Sequence, residues 1–199
     1  MQCYDPRHSR SILKQLTEEN CLLDDTSVIN LLYLLYQLRG TLPITMIDPL
    51  AVRPLAKKGR LASHLNPSKA RLIFLPLVHN HHWSLVVLIP SLAVYLHFDS
   101  IRGYHQSYAR NLLATTINVS HYKEMAFQSS QQASTWECGF FVLMNAFMLI
   151  NMKGTALQCE ETLRYYMQRH IPTIREGNIR RFTEKLHHIV SEIKYMDAQ

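Results

Sequence analysis

The chain has 199 residues, 47% of them hydrophobic and 18% charged, which excludes a disordered chain and allows one domain with a sizeable core. Its apolar runs fall short of the roughly 18 residues a membrane span needs, and the opening MQCYDPRHSR has no apolar core of the signal-peptide kind. The net charge is +6 with pI near 9.2, but aromatics do not interleave with the scattered basic residues. The surface therefore reads as a solvated basic face or one that attracts an acidic partner, and no nucleic-acid groove is expected.

In chain order, Asp24-Asp25-Thr26 is suited to cap a helix whose apolar positions Val28, Ile29, Leu32, Leu35 and Leu38 recur at helical spacing, with Gly40 as its stop. Residues 71–78 predict a buried strand. Residues 83–89 and 93–99 flank Pro90-Ser91 and predict a hairpin. An amphipathic helix is expected over 107–117 and a further strand over 121–128. Residues 138–152 are apolar on nearly all sides, so a central buried helix is expected there. Ile179, Phe182, Leu186, Ile189, Val190 and Ile193 form one stripe of a surface helix over 179–193. No repeat or low-complexity linker interrupts residues 1–199, so one domain is expected. Helices at both ends with strands between them give an α+β fold.

The chemistry concentrates in STWECGFFVLMNAF, residues 134–147. Cys138 falls at the N-terminus of the buried helix, where unpaired amides and the helix dipole favour a thiolate. Gly139 lets backbone approach closely there. Glu137 works against the dipole and should turn to solvent or to a partner. The other cysteines, Cys3, Cys21 and Cys159, read as small buried hydrophobes in a reducing compartment, since no CxxC pair occurs.

A base for the thiol is found among the histidines. His82 heads one hairpin strand and Asp99 ends the other. If the hairpin is symmetric about Pro90-Ser91, paired positions sum to 181 and these two lie directly opposite, with Cβ atoms roughly 4.5–5.5 Å apart. The carboxylate would then orient the imidazole. His79 and His81 of HNHH would share a strand face, but spacing places no third ligand, so no metal is expected. His97 shares a face with Asp99 and is a neighbour of the site. His187-His188 read as surface. Either Gln131 or Gln132, ahead of Cys138, is suited to hold an oxyanion together with the Cys138 N–H.

HWSLVV (82–87), HFDS (97–100) and QQASTWECGFFVL (131–143) together resemble the motifs of the ubiquitin-like-protein-specific cysteine proteases. These are the SUMO-protease and deneddylase family of clan CE, which includes bacterial effector deubiquitinases. RLIFLPL and LDDTSVINLLYLL also look like family elements, so the resemblance runs over about residues 20 to 195. It implies a papain-like fold of the ubiquitin-like-protease type: a central mixed sheet, flanking helices and a buried helix carrying the nucleophile. It implies Cys138, His82 and Asp99 as catalytic residues and favours Gln132 over Gln131 for the oxyanion. It implies Trp83 and Gly139 as substrate-binding residues and ubiquitin or a ubiquitin-like protein, with its conjugates, as partner. Glu137 replaces the family's usual Asp, and Cys21 stands where the N-terminal motif normally has a tryptophan.

On this reading the protein is a thiol protease or isopeptidase cutting after a terminal Gly-Gly, with no cofactor. It would be monomeric and cytoplasmic or nuclear, or, as a bacterial effector, secreted into the host cytoplasm. The alternatives are a Yop-type acetyltransferase using a similar His–acid–Cys set, and a module that binds a modifier without cutting it. Trp83 would form one wall of the tail channel. In a regular strand it would point away from His82, so an irregular strand start at 82–83 is expected, with the indole over the channel.

Overall fold

The computed structural model describes residues 4–65, 69–116 and 119–196; Cys3 and Ile117 lie outside the described residues. Its elements in chain order are α1 (Ser9–Thr17), α2 (Asp25–Arg39), β1 (Ile44–Met46), α3 (Pro49–Lys57), α4 (Leu61–His64), β2 (Leu72–His79), β3 (His82–Ile89) and β4 (Val94–Asp99). They are followed by α5 (Gln106–Ala114), β5 (Lys123–Glu124), α6 (Cys138–Ile150), α7 (Glu160–His170) and α8 (Glu176–Met196). Among the described residues the strands form one mixed sheet in the order β1-β2-β3-β4-β5. Both outer pairings are parallel and both inner ones antiparallel. This is the α+β architecture with a central mixed sheet that the sequence predicts.

Period-two alternation sends side chains of the inner strands into two cores. Leu72, Phe74, Trp83, Leu85, Val87, Leu96 and Phe98 belong to the core that contains α2, α6 and α8. Ile73, Leu75, Leu77, Val86, Leu88 and Tyr95 face α3, α4 and α5. A sheet covered on both faces needs strands apolar throughout, which explains the unbroken runs in β2 and β3. Helix α6 is buried along its length except at Phe147. The stripe on α8 holds as expected: Ile179, Leu186 and Val190 are buried, and Phe182, Ile189 and Ile193 pack against the same core.

Helix α2 starts where expected, with the Asp24 carboxylate accepting from the Ser27 amide at 2.7 Å. Gly40 ends it, but with φ at −66° and not in the left-handed form that glycine stops usually adopt. The glycine is needed for space, because a Cβ there would sit 2.2 Å from the Tyr36 ring. Leu38 is exposed. The strand expected over 121–128 shrinks to Lys123–Glu124: the Met125 amide still donates to the Tyr95 carbonyl, but the following carbonyl, of Ala126, accepts from Arg164 of α7. Helix α5 ends at Ala114, short of the expected 117.

Two turns differ from expectation, and both place the site. Asn80 and His81 both have positive φ, at 48° and 58°, and close the β2–β3 hairpin as the two-residue turn that right-twisted strands favour. His81 therefore lies in the turn and does not share a strand face with His79. The β3–β4 connection is longer than a two-residue turn. Pro90–Leu92 form one 3-10 turn and Ala93 is left-handed at φ 50°. Paired positions sum to 183, as in Ser84 opposite Asp99, and not to 181. His82 and Asp99 are thus diagonal and not directly opposite. The slip is by two residues, so both stay on one face of the sheet.

Candidate active site

The start of β3, the end of β4 and the start of α6 meet at one end of the sheet. There His82 Nε2 lies 2.8 Å from Asp99 Oδ1, and the Cys138 side chain is the other group acting on the imidazole. With Nε2 committed to Asp99, Nδ1 is the nitrogen that serves the thiol. The three groups are enclosed, at 3%, 5% and 1% exposure respectively. Asp99 is held from three sides: Oδ1 also accepts from the Ile101 amide at 3.1 Å, and Oδ2 from the His105 amide at 2.8 Å.

Burial alone would push the His82 pKa down. The bonds to Asp99 and then to Cys138, and the charge on Cys138 when ionised, outweigh burial and raise it to about 9. Burial likewise opposes the charge on Asp99, but the bonds from His82, His105 and Ile101 bring its carboxyl below the ordinary range. Such a site rests at neutral pH with the proton already on His82.

Cys138 is the first residue of α6, and no side chain caps this helix start. The Glu137 carboxylate does not turn to solvent. It is buried, and its Oε2 accepts from the Ser134 amide at 3.3 Å, so the partner is its own approach loop. Gly139 makes its close approach to Leu23: a Cβ on it would stand 3.1 Å from Leu23 Cβ.

The structure separates the two glutamines. Gln131 is exposed, and its amide donates to the Asp99 and Ser129 carbonyls. The Gln132 Oε1 accepts from the Ser100 hydroxyl at 2.6 Å, and its Nε2 donates to the Ser134 carbonyl at 2.6 Å. An amide nitrogen has two hydrogens, so one remains for an anion. Ser100, next to Asp99, thereby fixes which way round the amide lies. If Gln132 holds an oxyanion, Ser100→Ala should lower kcat by about tenfold, less than outright loss of an oxyanion donor, with KM and the rate of Cys138 alkylation unchanged. A KM effect, or none at all, would contradict that part for Ser100.

Trp83 lies on the opposite face of β3 from His82, and the strand start is regular: Val78 pairs with Trp83 and His79 with His82. The expected irregularity at 82–83 is absent because the indole has no need of it. Alternation already brings it to the α6 side, where it is 4% exposed and its Nε1 donates to the Leu23 carbonyl at 3.0 Å. Cys21 is half-buried, and burial, followed by the thiol's bond to the Glu18 carboxylate, raises its pKa. Cys159 is not the buried hydrophobe expected: it is exposed at the start of α7 against the Thr162 hydroxyl.

Sequence reasoning missed two residues here. Tyr104, half exposed, stands edge-on to His82 with ring centroids 5.0 Å apart. His105 is 1% exposed and bonds to Ser84 and to the His79 carbonyl. His97 is the neighbour expected, with Nε2 3.3 Å from the Ser84 hydroxyl, and burial lowers its pKa. Burial pushes His105 down to about 4.

These shifts make stability depend on pH in both directions. His105 takes up a proton on unfolding between its folded value of about 4 and the ordinary 6.5. Stability therefore falls as pH drops through that window. His82 releases its proton on unfolding between 6.5 and about 9, so its contribution is whole below 6.5 and lost as pH rises toward 9. Thermal melts should show a midpoint that peaks near pH 6.5 and declines on both sides. A flat profile would contradict the two assignments.

No protein-family model and no curated protein sequence matches the chain. Solved structures do. The Ulp1-like SUMO protease catalytic domain of Chaetomium thermophilum superposes with a TM-score of 0.56 at 20% identity, over 79% of this chain and 73% of that one. The C-terminal Ulp1 protease domain, in complex with Smt3, the yeast ortholog of SUMO, gives 0.61 at 14% identity, over 95% and 96%. The Xanthomonas campestris effector XopD, bound to ubiquitin, gives 0.58 at 22% identity, over 82% and 90%. The chain has the fold these proteins share.

Proposed function

We propose that this protein is a cysteine protease of the ubiquitin-like-protein-specific family, an isopeptidase that cuts after the terminal Gly-Gly of ubiquitin or a ubiquitin-like modifier. The observation that carries this reading is the buried imidazole of His82, bonded at 2.8 Å to Asp99, with the buried Cys138 thiol as the other side chain acting on it. The likeness to proteins solved with SUMO and with ubiquitin supports the choice of substrate. So does the enclosure of the thiol. Cys138 is 1% exposed, and a chain end without side chains is the kind that reaches so narrow a place.

The steps follow from the geometry. The Cys138 thiolate attacks the carbonyl of the last glycine. The oxyanion that forms is held by the Cys138 amide and the free N–H of Gln132. His82, already protonated, passes its proton to the departing amine, and a thioester remains. Water, with His82 now as base, hydrolyses the thioester and restores the thiolate. Asp99 holds the ring orientation throughout.

The direct test is a panel of ubiquitin, SUMO and other modifiers carrying a C-terminal electrophile. One of them should add its mass to the protein at Cys138. Absence of an adduct with every member, together with transfer of label from acetyl-coenzyme A to Cys138, would replace this reading with the acetyltransferase one.

A further inference from the structure

Resting on that reading, we propose that His105 is a positioning residue of the site: as a neutral imidazole it locks the Asp99 end of β4 to the β2–β3 hairpin that carries His82. Four hydrogen bonds define the lock. The His105 amide donates to Asp99 Oδ2 at 2.8 Å. Its Nε2 lies 3.0 Å from the His79 carbonyl, which only accepts, so Nε2 carries the proton. Nδ1 is then bare and accepts from the Ser84 hydroxyl at 2.9 Å. The Ser84 oxygen in turn accepts from His97 Nε2 at 3.3 Å. Each donor in this relay has one direction open to it.

The anchoring points match the residues being held. Ser84 is the residue paired across the sheet with Asp99, and His79 is the one paired with His82. One buried ring therefore ties down the strand partner of each. The groups facing it are His79, His82 at a centroid distance of 4.8 Å, His97, Asp99, and the rings of Tyr104 and Tyr108. A proton on Nδ1 would force the Ser84 hydroxyl to turn from donor to acceptor, undoing the relay, and would set a second positive charge beside the His82 imidazolium. Burial first, and then the charge on His82, keep the ring neutral.

The test reads Cys138 alkylation by iodoacetamide against pH, which needs no modifier substrate. In the wild type the rate should rise in two steps, the upper one near pH 9 where His82 loses its proton. His105→Gln keeps a donor for the His79 carbonyl but gives up the acceptor for Ser84. It should bring the upper step down by about one unit, as expected when a carboxylate slips from its imidazole. It should also cut kcat by about tenfold with KM unchanged. Ser84→Ala should move the step the same way and by less, and it decides the matter if His105→Gln does not fold. A merely structural histidine would lower the melting temperature and leave the step in place. An unmoved step in the folded variants overturns this role for His105. A wild type with no neutral-pH alkylation plateau overturns the ion-pair reading beneath it, and this role with it.

Discussion

Replacing Cys138 with alanine should abolish turnover and all probe labelling while leaving the protein folded. The sulfur is one buried atom at a helix start. Its loss removes about 1 kcal/mol of packing, but it removes the atom that would form the thioester in the proposed reaction. His82→Ala should lower kcat by roughly 10²–10⁴, as expected for a positioned acid–base group. Asp99→Asn tests the other side of the ring. The carboxylate accepts from His82, Ile101 and His105, and an asparagine would turn an NH₂ group toward at least one of those donors. It should therefore cost stability as well as rate. Folded Cys138→Ala protein with retained turnover would end both the protease and the acetyltransferase reading, since each passes through that sulfur.

What the sequence shows of this site is what short range and strict period determine. The Cys138 helix is legible because all thirteen of its residues but Asn145 are apolar or small. The faces of β3 and β4 are legible because alternation fixes them. That is why His82 and Asp99 meet although symmetry about Pro90-Ser91 puts the register two residues off: an even slip keeps the face. The difference comes from Ala93, whose left-handed φ lengthens the turn without any glycine to announce it. Ala at such a position is rare enough that symmetry about Pro90-Ser91 was the natural reading.

The parts that stayed hidden depend on contacts between distant segments. Ser100 and Gln132 are 32 residues apart, and nothing local in either marks the bond between them. His105 sits in a polar stretch after Gly103, and only the fold brings its ring beneath His82. Helix α1 packs on α8 across nearly the whole chain, and its short stripe of Ile12 and Leu16 is too brief to be read without that partner. Helix α3 contains Pro54, which argues against a helix by propensity, yet Asp48 caps it and Pro49 begins it.

Trp83 shows how the structure changes a prediction and not only a description. Seen as a wall of the tail channel, its removal should loosen recognition alone. In the structure the indole is a core residue, 4% exposed, so Trp83→Ala should cost about 3–5 kcal/mol. That is a large share of the roughly 5–15 kcal/mol that holds a domain together, and the variant should aggregate or melt near room temperature. The informative change is Trp83→Phe. It keeps most of the ring and removes the N–H that donates to the Leu23 carbonyl at 3.0 Å. A buried carbonyl left unpaired costs about 1–3 kcal/mol, so the protein should fold with a lower midpoint. Leu23 is the residue that presses on Gly139, beside Cys138. Once its carbonyl is released, this segment should drift from the helix start. KM for a Gly-Gly-ended substrate should then rise several-fold, and iodoacetamide, which is small, should still reach the thiol at the wild-type rate. A lowered midpoint with KM unchanged would make Trp83 a core residue and nothing more.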